Sequence, residues 1–430
     1  MLVGVPLYAA VFAALFQSLV GYNRLRSSSD ILTAVTLWLL VPLQIGGWLA
    51  YQYGGNLEPL LLLAIWPYVW LTAVVCGLPR IEQLRSHEDS INFGGIIANI
   101  LVFVVAAAVW EHNALTVGIV LGAIIALGAV GLTLIFGVLK FAHFAHGDSM
   151  MLSAFVAWLL LNGIIVGERA GSETTLLPVN VNDLPGADSA IWDFSFGYGL
   201  IVAMMLAAVL TAGMMVGIDR VVYRRLRKRG SDIVIFAIAS LGLAFVMRSV
   251  ILIFWGPTPR LYTPGIRNRI DLPFDVSLLA DQLFILAAAF VVTGIVYVLL
   301  FRTKLGKAMR AMADNPDLAR ISGIDTDRIV TWTWVVSGFL IAVAGVLLAL
   351  QAHLDSELGF TLLLPLFAAA IVGGLGNPQG ALVGGFVVGI TQEVAVTFDF
   401  LSPGYKFSVA FAILILILLV RPRGLFGERS

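Results

Sequence analysis

Apolar runs of roughly twenty residues recur along the chain. Each run is long enough to cross the hydrocarbon core of a membrane as a helix, because twenty helical residues extend about 30 Å. We count about thirteen such runs, which begin near Leu2, Ile31, Leu60, Phe93, Leu115, Ser149, Gly199, Ile233, Leu283, Val330, Leu362, Ala381 and Lys406. The pattern predicts an all-α polytopic membrane protein with about 13 transmembrane helices.

One polar insertion between two apolar runs, residues 302–328, has the pattern of folded structure rather than of a linker. Its first part carries apolar residues at the three- and four-residue spacing of one helical face, namely Leu305, Ala308, Met309 and Met312. Charged residues occupy the opposite face of the same helix. The pattern predicts a short amphipathic helix.

A second short helix is predicted directly after the first. Asn315 before Pro316 supplies an N-cap and a first-turn proline, and Gly323 can end the helix in the left-handed conformation. Asp325 or Thr326 can then cap the membrane span that follows. The insertion is therefore predicted to consist of two short helices joined by a turn, with a membrane span at each end.

Lys and Arg residues are distributed unevenly between the two sides of the spans. If the N-terminus lies outside, most of them fall on one side, including the clusters in residues 220–229 and 304–328. Because Lys and Arg accumulate in cytoplasmic loops, the pattern predicts a cytoplasmic C-terminus. The composition agrees with a membrane protein, since 60% of the residues are hydrophobic and the mean hydropathy is +0.96. The net charge is zero and no basic domain stands apart, so no nucleic-acid partner is predicted.

The insertion resembles the cytoplasmic coupling element in permease subunits of ATP-binding-cassette importers for branched-chain amino acids. The motif of that family is carried here by Thr303, Gly306, Lys307, Ala308, Arg310, Ala311, Ala313, Asn315, Pro316, Ala319, Gly323 and Ile324. The resemblance implies that this segment, called the coupling loop below, docks onto an ATPase subunit. An amphipathic loop lying on lipid headgroups is the alternative.

Further segments carry the same resemblance in the same order. The family's N-F-A-H-G-(E/D) segment is matched by Phe144, Ala145, His146, Gly147 and Asp148, with His143 where the family usually has Asn. The family's closing glycine hairpin is matched by Gly373, Gly374, Gly376, Asn377, Pro378, Gly380, Gly384 and Gly385. The matched segments extend from about Leu115 to Gly427.

Polar residues inside apolar runs are costly in lipid, so they are expected to face a cavity or one another. The candidates for the translocation path are His143, Phe144, His146, Gly147, Asp148, Arg248, Gly373, Gly374, Gly376 and Glu393. Arg248 can instead extend to the outer interface. The spacing of His143, His146 and Asp148 also permits a metal site, although two imidazoles with an uncertain third ligand are weak evidence and we predict none.

The chain contains no catalytic motif. No phosphate-binding G-x-x-x-x-G-K-(S/T) segment occurs, and no nucleophile elbow, zinc-ligand set or carboxylate pair is found. The single cysteine, Cys76, allows no disulfide. We therefore predict a transporter subunit rather than an enzyme, without catalytic residues or a cofactor of its own, and with ATP and Mg²⁺ on partner subunits.

Two regions are predicted. Residues 1–112 form an extra transmembrane segment of about four spans, which serves as a scaffold, a docking surface or an insertion aid; residues 113–427 form the permease domain. The resemblance implies a multi-pass subunit of a bacterial inner or plasma membrane that imports branched-chain amino acids. Its partners would be membrane lipid, a second permease subunit, two ATP-binding subunits and a periplasmic solute-binding protein. The alternatives are a permease for urea or short amides, and a self-contained transporter in which Asp148, Glu393 or Arg248 relays protons or sodium.

Overall fold

A computed structural model describes residues 112–166, 173–263, 267–272, 276–397, 402–420 and 424–426 of the chain. The four spans predicted before residue 112, together with Cys76, lie outside the described residues. The described part is mostly helical, as the apolar runs predict, and its few strands are confined to loops.

Twelve α-helices occur in the described part of the chain. They are α1 His112–Leu139, α2 His146–Asn162, α3 Tyr198–Ile218, α4 Arg224–Lys228, α5 Ile233–Trp255, α6 Ala280–Arg302, α7 Lys304–Asp314, α8 Pro316–Ile321, α9 Thr326–Gln351, α10 Leu358–Gly373, α11 Pro378–Ala395 and α12 Lys406–Val420. A π-helical turn, Asp219–Tyr223, makes α3 and α4 continuous. Nine of these helices coincide with the nine spans predicted after residue 112.

Five of the described helices are long and apolar enough to cross a membrane, namely Asn113–Leu139, Tyr198–Lys228, Ile233–Trp255, Ala280–Arg302 and Thr326–Gln351. The first and last are buried along most of their length, whereas the other three each leave an apolar face exposed. Such faces suit lipid or other membrane helices, because exposed apolar side chains cost nothing in hydrocarbon. The protein is therefore a multi-pass membrane protein, and α1 and α9 are the most buried of these five helices.

Helices α2, α3, α6 and α7 pack around α9, and α2 also packs against α5 and α10. Helices α10, α11 and α12 form a second group of mutual neighbours. The α10–α11 hairpin is closed by Gly373 and Gly380, because a Cβ at either position would overlap the backbone of the other. This agrees with the close helix contact predicted for the glycine hairpin.

Two antiparallel strand pairs lie in the loops opposite the coupling loop. Strand β1, Ile164–Val166, pairs with β2, Glu173–Thr175, and β3, Arg269–Leu272, pairs with β4, Val276–Leu279. The loop after α2 also contains the 3₁₀ turn Val181–Asp183. Strands this short are not predicted by the apolar pattern of the sequence, because their pairing joins residues that are not consecutive.

Candidate translocation site and coupling loop

Helix α2 begins in the interior of the helix bundle rather than at its surface. The Nε2 atom of His146, its first residue, donates to the carbonyl oxygen of Gly128 at 2.9 Å. Gly128 lies about 16 Å along α1 from Leu139, the end nearest the coupling loop, at about 1.5 Å per residue. Ser337, which donates to Gly131 at 2.9 Å, lies about the same distance along α9 from Thr326. The start of α2 is therefore near mid-depth.

Helix α10 begins at the same place. A Cβ at Gly147 would overlap the carbonyl oxygen of Gly359, and a Cβ at Gly359 would overlap that of Gly147. From this point α2 extends away from the coupling loop, whereas α10 extends towards it and ends beside the C-terminus of α1. Neither Ala145 nor Glu357, the N-cap residues, makes a side-chain cap. Two uncapped helix N-termini thus meet inside the bundle.

Asp148 and Arg248 form an ion pair at this meeting point. The Arg248 Nε and Nη2 atoms donate to Asp148 Oδ1 at 3.2 and 3.0 Å. The Asp148 side chain is fully buried, and 18% of the Arg248 side chain is exposed. The guanidinium lies over the ring of Phe360, 4.4 Å from its centroid, and 6.0 Å from that of Phe245. Of the two alternatives for Arg248, the structure supports pairing inside the bundle rather than extension to the outer interface.

His143, which stands where the family motif usually has Asn, lies in a buried cluster of aromatic rings. Its ring centroid is 5.3 to 6.1 Å from those of Phe141, His146, Tyr223 and Trp334. Both imidazole nitrogens are buried and without a hydrogen-bond partner. His143 therefore packs within a cluster of aromatic rings next to the start of α2.

Asp219 connects this ring cluster to Arg227 through hydrogen bonds. Its carboxylate accepts from both Nη atoms of Arg227, at 2.8 and 3.0 Å, and from Trp334 Nε1 at 2.8 Å. Tyr223 stacks on Trp334 with their ring centroids 5.3 Å apart. The sequence pattern indicated only that the Lys and Arg residues of the neighbouring cluster, 220–229, lie on one side of the membrane. The missed signal was an acid and an aromatic spaced by four residues at the end of an apolar run.

The structure does not assemble a metal site from the candidate residues. His146 Nε2 is engaged by a backbone carbonyl, and Asp148 is paired with Arg248. No group of three His, Cys, Asp or Glu side chains able to hold a metal ion occurs among the described residues.

The two histidines should respond differently to the same substitution. His143→Phe replaces two unpartnered buried nitrogens with carbon in a similar shape, so the unfolding temperature of the detergent-solubilised chain should stay the same or rise. His146→Phe removes the hydrogen bond from Nε2 to the Gly128 carbonyl oxygen, a loss of about 0.5–1.5 kcal/mol, so its unfolding temperature should fall. Thermal unfolding of the full chain measures both effects. Equal unfolding temperatures for the two variants would contradict the assignment.

The remaining candidates for the translocation path have separate structural settings. The amide of Phe144 donates to Ser240 Oγ at 3.0 Å, which ties the turn before α2 to α5. Glu393 forms an ion pair with Lys406 at 2.7 Å and thereby joins α11 to α12. The structure thus does not bring Glu393 together with Asp148 and Arg248.

Gly373, Gly374 and Gly376 belong to the α10–α11 turn. Residues 424–426 contact this turn, because the amides of Leu425 and Phe426 donate to the carbonyl oxygens of Val372 and Gly373. A Cβ at Gly137, near the end of α1, would lie 3.4 Å from Gly376. These glycines therefore shape the coupling-loop side of the bundle, away from the meeting point of α2 and α10.

The coupling loop has the predicted structure. Thr303 caps α7 by accepting from the Gly306 amide at 3.1 Å, and Asn315 caps α8 through the amides of Asp317 and Leu318. Gly323 has φ of 85°, and Asp325, the first of the two proposed caps, accepts from the amide of Arg328 at 3.0 Å. Pro316 is the first residue of α8, as predicted.

The predicted coupling residues differ in exposure. Gly306 and Ala319 are buried, Ala308 and Ala311 are half-buried, and Lys307 and Arg310 are exposed. The Arg310 guanidinium stacks over the ring of Phe301, 4.9 Å from its centroid. Two apolar side chains that the sequence reasoning did not single out, Leu318 and Ile321, are 57% and 81% exposed. The loop thus presents cationic and apolar groups outwards.

Lys140 connects the coupling loop to the turn that leads into α2. Its Nζ donates to the carbonyl oxygen of Ala313, in the last turn of α7, at 2.6 Å. Lys140 has φ of 58°, in the left-handed region that non-glycine residues rarely adopt. Five residues separate Lys140 from the start of α2. One short turn therefore joins the residue that contacts α7 to the helix that carries Asp148.

Comparison with known proteins identifies relatives of the chain. Residues 114–418 match the family described as "Branched-chain amino acid transport system / permease component". The high-affinity branched-chain amino acid transport system permease protein LivH of Salmonella typhimurium is 29% identical over 316 residues, which cover 72% of this chain and 94% of that protein. The probable branched-chain amino acid transport permease protein LivH of Methanocaldococcus jannaschii is 30% identical over 239 residues, covering 54% and 76%.

A solved structure, PsaBC from Streptococcus pneumoniae in complex with Fab, aligns with 75% of this chain and 97% of its own, at 15% identity and a TM-score of 0.36. The ribose import permease protein RbsC of Haemophilus influenzae is 27% identical over only 135 residues, covering 30% of this chain and 42% of that protein. The family match covers well over half of the chain, from the start of α1 to α12. The chain belongs to the family of branched-chain amino acid transport permease components.

Proposed function

We propose that the chain is the membrane-spanning subunit of an ATP-driven importer for branched-chain amino acids. It pairs with a second permease subunit, receives solute from a periplasmic binding protein, and changes access when two ATP-binding subunits close beneath it. Residues 113–427 are the permease domain, and residues 1–112 are an added scaffold. The C-terminus is cytoplasmic, and the membrane is a bacterial inner or plasma membrane.

The observation that carries this proposal is the coupling loop. It is a compact helical pair outside the spans, anchored to α6 by Thr303 and to α9 by Asp325, with Ile321 at its exposed edge. An exposed apolar side chain beside cationic groups suits a protein groove. The ion pair of Arg224 with Asp327, 2.9 Å long, places the Arg-rich helix α4 beside the same loop, which favours a cytoplasmic location.

Ion coupling within a single chain has less support. A proton or sodium relay needs a carboxylate that is free to exchange its ion, but Asp148 and Glu393 are paired with Arg248 and Lys406. Breaking a buried pair by removing one charge costs about 3–5 kcal/mol. In a relay, the ion pair would have to be broken in every transport cycle, at that free-energy cost.

Isolation of the full chain from its native membrane in mild detergent tests the proposal. We expect two ATP-binding subunits and a second permease subunit to co-purify, and the reconstituted complex to import leucine only with ATP and a binding protein. A single chain that accumulates leucine in vesicles driven by an ion gradient alone would contradict it.

Lys140→Gly should partly uncouple ATP hydrolysis from import. Glycine adopts the left-handed conformation without strain but removes the bond to Ala313. A charge-assisted hydrogen bond contributes about 1.5 kcal/mol or less at an exposed site, which corresponds to up to about tenfold in an equilibrium. We therefore expect the ATP hydrolysed per leucine imported to rise severalfold, measured in proteoliposomes.

Lys140→Arg is the matched control, because arginine keeps both the reach and the charge. Its ATP-to-leucine ratio should stay close to that of the unaltered complex. An unchanged ratio in Lys140→Gly would show that the Lys140 contact transmits nothing.

A further inference from the structure

We propose that the meeting point of α2 and α10 is a binding site for the α-ammonium and α-carboxylate groups of a zwitterionic amino acid. Asp148 accepts from the ammonium group, while Arg248 and the first amides of α10 donate to the carboxylate. This inference rests on the proposed import function and adds the residues that recognise the solute.

The acceptor half of the site is Asp148. Only Oδ1 is bound by Arg248, whereas Oδ2 is buried and has no hydrogen-bond partner. Buried carboxylate oxygens are almost always satisfied, because desolvating one without a partner costs free energy. An unpartnered anionic oxygen suits a cationic donor such as an ammonium group.

The donor half of the site consists of Arg248 and the N-terminus of α10. A guanidinium has five N–H donors, and the bonds to Asp148 use those on Nε and Nη2, so Nη1 is left for another acceptor. The first amides of α10 have no acceptor within the helix, and Glu357 does not cap them. Helix N-termini near the middle of a membrane are suited to anionic groups of solutes.

The ion-pair geometry determines which solutes satisfy both halves. Donor and acceptor groups lie 3.0 Å apart in the pair, and the ammonium and carboxylate of an amino acid are joined by a single carbon. A zwitterion is neutral overall, so its entry leaves the charge of the buried pair balanced. An amine or a carboxylic acid alone would add one uncompensated charge, which is costly at low dielectric.

Two phenylalanine rings provide the apolar part of the site. Phe360 and Phe245 flank the guanidinium and are 44% and 56% exposed. An aliphatic side chain that packs on these rings gains dispersion contacts with them. Urea and short amides have no such group and no charge to match the pair, so the site favours hydrophobic amino acids over them.

Photo-leucine, a diazirine analogue that keeps both charged groups, tests the site in the full chain isolated with its co-purifying subunits. After irradiation, mass spectrometry should locate the label in peptides containing residues 144–149, 245–249 or 358–364. Excess L-leucine should remove the label. Leucinol, which lacks the carboxylate, and 4-methylpentanoate, which lacks the ammonium, should compete at least about tenfold less well, because a site built for a polar group rejects analogues without it.

Label outside those peptides, or equal competition by leucinol and L-leucine, would overturn the assignment. Arg248→Gln should abolish the label, whereas Glu393→Gln, which alters the other ion pair between helices, should retain it. These outcomes are independent of ATP-driven import. Failure of import with normal labelling would contradict the proposed function, and normal import without labelling would contradict this site.

Discussion

Leucine import by a complex that carries Gly147→Ala should fall to background. The added methyl group would overlap the carbonyl oxygen of Gly359 and lie 2.9 Å from its carbonyl carbon. Because the obstacle is backbone rather than a flexible side chain, α2 and α10 must separate at their N-termini. Overpacking of this kind costs about 1–3 kcal/mol, and it displaces the segment that carries Asp148.

Gly213→Ala is the matched control for this substitution. Gly213 is also in a membrane-spanning helix, but a Cβ there would meet nothing within 4 Å. Alanine is favoured over glycine in a helix by about 1 kcal/mol, so this variant should be at least as stable as the natural chain and should import leucine normally. Uptake and thermal unfolding of the two variants, measured side by side, give the comparison. Normal import by Gly147→Ala would show that the close contact is dispensable.

Ile321→Glu should abolish substrate-stimulated ATP hydrolysis and leucine import together, without loss of the membrane subunit. Ile321 is 81% exposed at the end of α8, so the substitution changes no internal packing. A charge placed in an apolar protein contact remains unpaired when water is excluded, which costs several kcal/mol. Import in proteoliposomes and co-purification of the ATP-binding subunits measure the effect.

Val179→Glu provides the control, since Val179 is 71% exposed in a loop opposite the coupling loop. The same change of side-chain class there should leave the ATP-binding subunits bound to the membrane subunit. If Ile321→Glu retained its ATPase subunits and full import, docking through α8 would be refuted. Ala308→Trp would not test docking alone. Ala308 is half-buried, so a large ring there would also disturb the packing of α7.

The coupling loop was predictable from the sequence because its determinants are local. A capping residue, the proline after it and the glycine that ends a helix act within one or two turns of the chain. Asn315, Gly323 and Asp325 therefore have the roles that their positions suggest. The burial of Met309 and Met312 follows from helical periodicity in the same way.

The ion pair at the start of α2 was only half predictable. The cost of charge in an apolar run indicates that Asp148 and Arg248 need partners, but not which partners, since 100 residues separate them along the chain. The sequence left Arg248 divided between two roles and placed Glu393 among the same translocation-path candidates as Asp148. Pairing depends on which helices are neighbours, and that follows from packing across the whole bundle.

The sequence by itself determined the class of the protein, the nine helical runs after residue 112, and the structure of the coupling loop. Hydrophobic length and local capping need no distant contact to act. Only the tertiary structure decided that α2 and α10 meet near mid-depth, that His143 packs among aromatic rings, and that Lys140 bonds to the last turn of α7. These features depend on contacts between residues far apart in the chain, and no local pattern encodes the distance between two helix ends.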